Sequence, residues 1–175
     1  MGYVIRPVAP AEWREIREVR LTALQDPVSA VAFARSYAEE SALPDEVWQQ
    51  RSSGNGAQQF AVIREPDPDA TPKGTQPSAD WVGMAVVIAE RPDRHSVNAV
   101  YLRPEVRGSG LAAELFSTLI AWSWERTDRL YLWVHEKNPR AEALYRRIGF
   151  ERTGRTMAYP KDPAQTEYEM ALHRD

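Results

Sequence analysis

One stretch limits the fold more than any other: Val97-Asn98-Ala99-Val100-Tyr101-Leu102 runs through Arg103-Pro104-Glu105-Val106-Arg107 into Gly108-Ser109-Gly110-Leu111-Ala112-Ala113. A strand leads into a glycine-rich turn. The turn opens a helix whose apolar residues recur every four positions, as Leu111, Leu115, Leu119 and as Ala112, Phe116, Ile120. The first four N–H groups of a helix have no partner inside it, and aligned peptide dipoles add positive charge there, so this end suits an anion. Two glycines let a phosphate approach the backbone with no Cβ in the way, and Arg107 can add a charge-assisted bond. The same residues also read as a plain glycine-rich turn with a solvated arginine.

Around this centre, 175 residues predict one domain spanning 1–175, large enough to bury a core without staples. Tyr3 to Val8 reads as a short strand, followed by a helix with Trp13, Ile16, Val19 and Ala23 on one face. Residues 26–51, punctuated by Pro27 and Pro44, predict one or two short helices. A strand over 58–64 precedes residues 65–80, whose four prolines and scarcity of large apolar side chains predict a mobile surface loop. Trp81 to Ala89 predicts a central strand. Strand, helix, strand and helix follow up to Ile148, then two strands around 150–159 and 166–172. Hairpins at both ends with strand-helix-strand units between them predict an α/β fold: a mixed sheet with helices on both faces.

Composition removes several function classes. The chain holds no cysteine, which excludes disulfides, a thiol nucleophile and thiolate metal sites. His95, His135 and His173 have no metal-ligand spacing, so no metal is expected. A net charge of -3 provides no basic field for nucleic acid. The longest apolar run, Trp81 to Ala89, is far short of a membrane span, and the first six residues lack a signal-peptide core. The expectation is therefore no nucleic-acid partner, no membrane partner and a cytoplasmic address.

Two cofactor classes use such a turn. Gly108-x-Gly110-x-x-Ala113 formally matches a dinucleotide fingerprint. In that fold, however, the glycine follows the strand almost at once, whereas five residues, Arg103 to Arg107, intervene here. The 62 residues after Ala113 are also too few for the remaining parallel strands. Read instead as Arg107-x-x-Gly110-x-Ala112, the turn joins a second block, Leu132-Trp133-Val134-His135-Glu136-Lys137-Asn138-Pro139 through Ala141, Leu144 and Tyr145 to Gly149-Phe150. With both blocks in this order, the sequence resembles the GNAT superfamily of acetyl-CoA-dependent N-acetyltransferases. The second block also has a purely structural reading. Asn138 is a good N-cap before Pro139, and Ala141, Leu144, Tyr145 and Ile148 form one helix face, on which Tyr145 is core.

The resemblance implies a GNAT-like sheet of about seven mostly antiparallel strands, with two central parallel strands that splay apart. It implies that the pantetheine arm of acetyl-CoA, the co-substrate, lies in the gap and pairs with the backbone of Val100 and Leu102. The pyrophosphate is then held by Arg107 and by the amides of Gly108, Ser109, Gly110, Leu111 and Ala112. Asn138 bonds the pantetheine arm or orders its pocket, and the Tyr145 hydroxyl lies near the thioester sulfur as the acid. Backbone near Val100 to Leu102 is the candidate oxyanion donor. No carboxylate occupies 96–102, so the base stays open among Glu136, His135, Glu105 and water. The expected acceptor is a small-molecule amine, bound by some of Phe33, Tyr37, Trp48, Trp133, Tyr159 and Tyr168. A homodimer stays open. Two alternatives remain: a non-catalytic CoA-binding sensor, and an acyltransferase with a different acyl donor.

Overall fold

The computed structural model describes residues 2–66 and 79–174. Seven strands form one sheet: β1 (Tyr3–Pro7), β2 (Ala57–Arg64), β3 (Asp80–Arg91), β4 (Arg94–Leu102), β5 (Arg129–His135), β6 (Glu151–Tyr159) and β7 (Asp162–His173). Their spatial order is β1-β2-β3-β4-β5-β7-β6, and every adjacent pair is antiparallel except β4 and β5. This is the mixed sheet that the sequence pattern predicts, in the mostly antiparallel form that the family resemblance implies. Most of the loop expected over 65–80 lies outside the described residues, and Asp80 already opens β3.

Helices cover both faces. On one lie α1 (Trp13–Gln25), α2 (Ser29–Ala32), α3 (Tyr37–Ser41) and α4 (Asp45–Arg51), packed on the sheet around Ile16, Val19, Trp48, Met84 and Tyr101. Residues 26–51 thus hold three short helices rather than one or two. At four to seven residues each, they are too brief to display a helical period in the sequence. On the other face, α5 (Leu111–Ser123) and α6 (Pro139–Ile148) bury Leu115, Phe116, Leu119 and Tyr145 against Phe60, Leu132 and Phe150. Each fully buried Leu or Phe stabilises the fold by roughly 2 kcal/mol.

The feature that positions the site is the failure of β4 and β5 to stay together. Their parallel pairing consists of His95 with Leu130 and Ser96 with Tyr131, and then ends. Beyond it, β4 carries a bulge. Met84 pairs with Tyr101 and Val86 with Asn98, so Ala99 and Val100 share the place opposite Ala85. Ala99 accommodates the extra residue at φ 52°, a left-handed conformation costly for a residue with a Cβ. A bulge bends its strand, and here β4 turns away from β5 and leaves their facing backbone edges unpaired.

Candidate active site

A cavity of about 930 Å³ passes through this gap. Tyr145, Leu144 and Ala141 line it from the α5/α6 face, and Phe33, Trp48 and Arg20 from the face of α1–α4, so it connects the two sides of the sheet. Exposed residues rim both ends: Gly108, Gly110 and Arg140 at one, Arg35, Met157 and Pro160 at the other.

The glycine-rich turn forms the first end. Gly108 and Gly110 have φ of 83° and 95°, which residues with a Cβ rarely adopt. Among the described residues, a Cβ built on either would meet nothing within 4 Å, so the space beside this backbone can admit a bulky group. The helix proper begins at Leu111 with Gly110 as its N-cap, slightly later than the sequence suggests, and no side chain among the described residues caps it. The Ser109 hydroxyl donates to the Val106 carbonyl at 2.7 Å, and the Leu111 side chain is core. These two therefore offer only their amides, and their side chains do not line the cavity. Ala112, Val100 and Leu102 do line it.

Arg107 also reaches the cavity, but its guanidinium is held by protein. Nη2 donates to Asp26 Oδ2 at 2.6 Å, and Nε donates to the Leu102 carbonyl at 2.9 Å. The Tyr101 hydroxyl donates to the same Asp26 oxygen at 3.3 Å. Burial alone would raise the Asp26 pKa, but the Val28 amide and Arg107 outweigh it and hold the carboxyl below its usual range.

Asn138 caps α6, its Oδ1 accepting from the Ala141 amide at 3.2 Å, and its side chain also lines the cavity. Tyr145 sits about two turns further along α6, its ring centroid 5.5 Å from that of Phe116 and 6.1 Å from that of Phe150. The ring is core, as the structural reading has it, yet the residue borders the cavity and its hydroxyl has no hydrogen-bond partner among the described residues. Burial pushes its pKa up to about 12.

Of the six aromatic candidates for the acceptor side, Phe33, Trp48 and Trp133 line the cavity. Tyr37 is on the surface. The Tyr159 hydroxyl donates toward the carbonyls of Ala30 and Phe33, which pins the segment after α2. Tyr168 packs on the opposite face, beneath Arg152.

Two features of this end escape sequence reasoning. Glu40, 2% exposed, is paired with Arg20 and Arg51, each at 3.2 Å. Burial works against its charge, but the two guanidiniums prevail and its pKa is lowered. Glu167 on β7 lines the cavity beside His135, its register partner on β5. Among the described residues no three His, Asp or Glu side chains gather as a metal would need, and no helix is long and apolar enough to cross a membrane.

Residues 33–150 match the Acetyltransferase (GNAT) family. The chain belongs to that family. Among known proteins, a relative named mycothiol acetyltransferase, from Segniliparus rotundus, is 30% identical over 110 residues, covering 58% of this chain and 40% of its own length. The chain thus spans less than half of that curated relative. The structure of Arabidopsis thaliana NAA60 in complex with acetyl-CoA superposes with a TM-score of 0.70 at 14% identity, covering 98% of both chains. Spermidine N-acetyltransferase from Vibrio cholerae, in complex with CoA and spermine, gives 0.64 at 17% identity over 98% of this chain and 95% of that one. At these identities the likeness shows a shared GNAT fold.

Proposed function

We propose that this GNAT chain transfers an acetyl group from acetyl-CoA to the primary amine of a small molecule, by direct attack within a ternary complex. The observation that carries the reading is the through-sheet cavity, which begins at an uncapped helix N-terminus and passes between two strands with unpaired backbone. Open amides from Gly108 to Ala112 suit a diphosphate, and the open side of Gly108 and Gly110 gives it room. The unpaired edge of β4 at Val100 and Leu102 can bond an extended amide-bearing arm as an added strand would, with Asn138 alongside.

Bound acetyl-CoA supplies an electrophilic thioester carbonyl. In this reading the backbone donors of β4 near the bulge stabilise oxyanion charge, and holding both reactants in one slot supplies proximity. With its pKa near 12, Tyr145 keeps its proton and serves as a hydrogen-bond donor to the departing sulfur; solvent supplies the thiol's proton.

The acceptor end bears on substrate class. Arg20, Arg35 and Arg51 line it against Glu40 and Glu167. A polycation would meet net positive charge there, whereas a single amine on a neutral or anionic body would not. Thiol release from acetyl-CoA, measured with a panel of primary amines, tests the reading. A melting shift with acetyl-CoA but no thiol release would favour a sensor instead.

A further inference from the structure

The acceptor ammonium must lose a proton before it can attack, and β4 offers no carboxylate. Glu105 lies exposed on the turn after β4, with Arg64 at 4.0 Å. The Glu136 carboxylate accepts from the Thr166 amide at 2.9 Å and is exposed. His135 lines the cavity, but its Nδ1 accepts the Lys137 N–H at 3.0 Å. With Nδ1 so engaged, the tautomer this bond fixes carries its proton on Nε2, which is buried without a partner among the described residues. His135 is a donor, and neither nitrogen has a lone pair free to take a proton.

Two carboxylates stand on the same face of β7, Glu167 and Glu169, and their surroundings differ sharply. Glu169 is 1% exposed and is bonded by Arg94 and by the Thr153 hydroxyl, with Arg155 at 3.6 Å. Those partners overcome the effect of burial and lower its pKa. Glu167 lines the cavity, and among the described residues no hydrogen bond or ion pair holds its carboxylate. Burial raises its pKa, which brings it closer to neutrality and makes it a better base than a solvated carboxylate.

Resting on the transferase reading above, we propose that Glu167 is the general base: its carboxylate takes a proton from the acceptor ammonium on the α1–α4 face of the sheet. The freed nitrogen lone pair then forms the N–C bond to the thioester carbonyl. The C–S bond breaks with its electron pair on sulfur, beside the Tyr145 hydroxyl on the opposite face. The second nitrogen proton leaves to solvent, solvent protonates the thiolate, and Glu167 returns its proton to water through the rim at Met157 and Pro160. Proton removal and thiolate stabilisation are thereby assigned to opposite faces.

The titratable groups nearest Glu167 along the sheet are His135, its register partner on β5, Glu136 just after it and Tyr159 on β6, while Arg20 and Arg35 line the same cavity and Arg155 lies beside Glu169. Glu136 is bonded to Thr166, Tyr159 to backbone, Arg155 to Glu169 and Arg20 to Glu40.

The test compares wild type with Glu167→Gln, measuring thiol release from acetyl-CoA with tyramine, glucosamine and a tetrapeptide amine, and with hydroxylamine, which is already neutral at about pH 8. The variant should lose about 100-fold in kcat/KM with the ammonium acceptors. It should also lose the acid limb of the pH profile, keep its acetyl-CoA melting shift, and stay near wild type with hydroxylamine. Equal loss with hydroxylamine, or an unaltered rate and pH profile with the other amines, overturns the assignment of Glu167 and leaves the transferase reading intact. Absence of thiol release from wild type with every amine overturns both.

Discussion

Tyr145 is buried among Phe116 and Phe150, yet its hydroxyl bonds to nothing among the described residues, an arrangement with little to offer stability. Tyr145→Phe should therefore melt within about 0.5 kcal/mol of wild type and bind acetyl-CoA unchanged, while kcat drops at least about tenfold. Steady-state kinetics alongside a thermal titration check this. Gly110→Trp acts on the opposite requirement. A side chain at φ 95° costs about 1–2 kcal/mol and fills the space beside the open amides, so the free protein should fold and its melting shift with acetyl-CoA should vanish. His95 is buried with Nδ1 unpartnered among the described residues, and burial, with Arg126 adding to it, lowers its pKa. The folded state thus prefers the neutral ring. Its contribution is complete above the unfolded pKa of about 6.5 and is lost as pH falls below it. Melting His95→Leu and wild type side by side at about pH 7 and about pH 5 should show a smaller acid-induced drop in the variant.

Among the elements, α3 and α4 are tied to α1 by charge as well as by apolar burial. Glu40 on α3 joins Arg20 of α1 to Arg51 of α4, so Glu40→Ala leaves two guanidiniums uncompensated and should cost about 3 kcal/mol in denaturant unfolding. The β4 bulge makes a separate demand. Ala99→Gly should match or exceed wild-type stability, whereas Ala99→Val, branched at φ 52°, should lose about 2 kcal/mol. The sequence discloses elements whose signal is local. The Gly108–Gly110 turn and the Asn138-Pro139 start of α6 each occupy a few adjacent residues, and both stand where expected. Glu167 and Glu169 show the other case. In the sequence they are two alike residues flanking Tyr168; what separates them is Arg94, 75 positions away, and Thr153 on the next strand. The ion pair of Arg107 with Asp26 likewise joins positions 81 apart, so the sequence gives no hint that this arginine already has a partner.

For the molecule as a whole, the two cores on either side of the sheet meet at the gap between β4 and β5, and a ligand lodged there should tie them together. Acetyl-CoA at a hundred times its Kd adds about 2.7 kcal/mol, which in a chain this long raises Tm by roughly 5–10 °C. An unmoved melting curve at millimolar concentration would count against the site. The cavity that joins the faces has a further consequence for traffic. Because it is rimmed by different residues at its two ends, the proposed transfer would give the spent coenzyme and the acylated amine separate exits. On that proposal, an amine carrying a bulky tail, even one anchored to a bead, should occupy one doorway while coenzyme molecules are exchanged through the other.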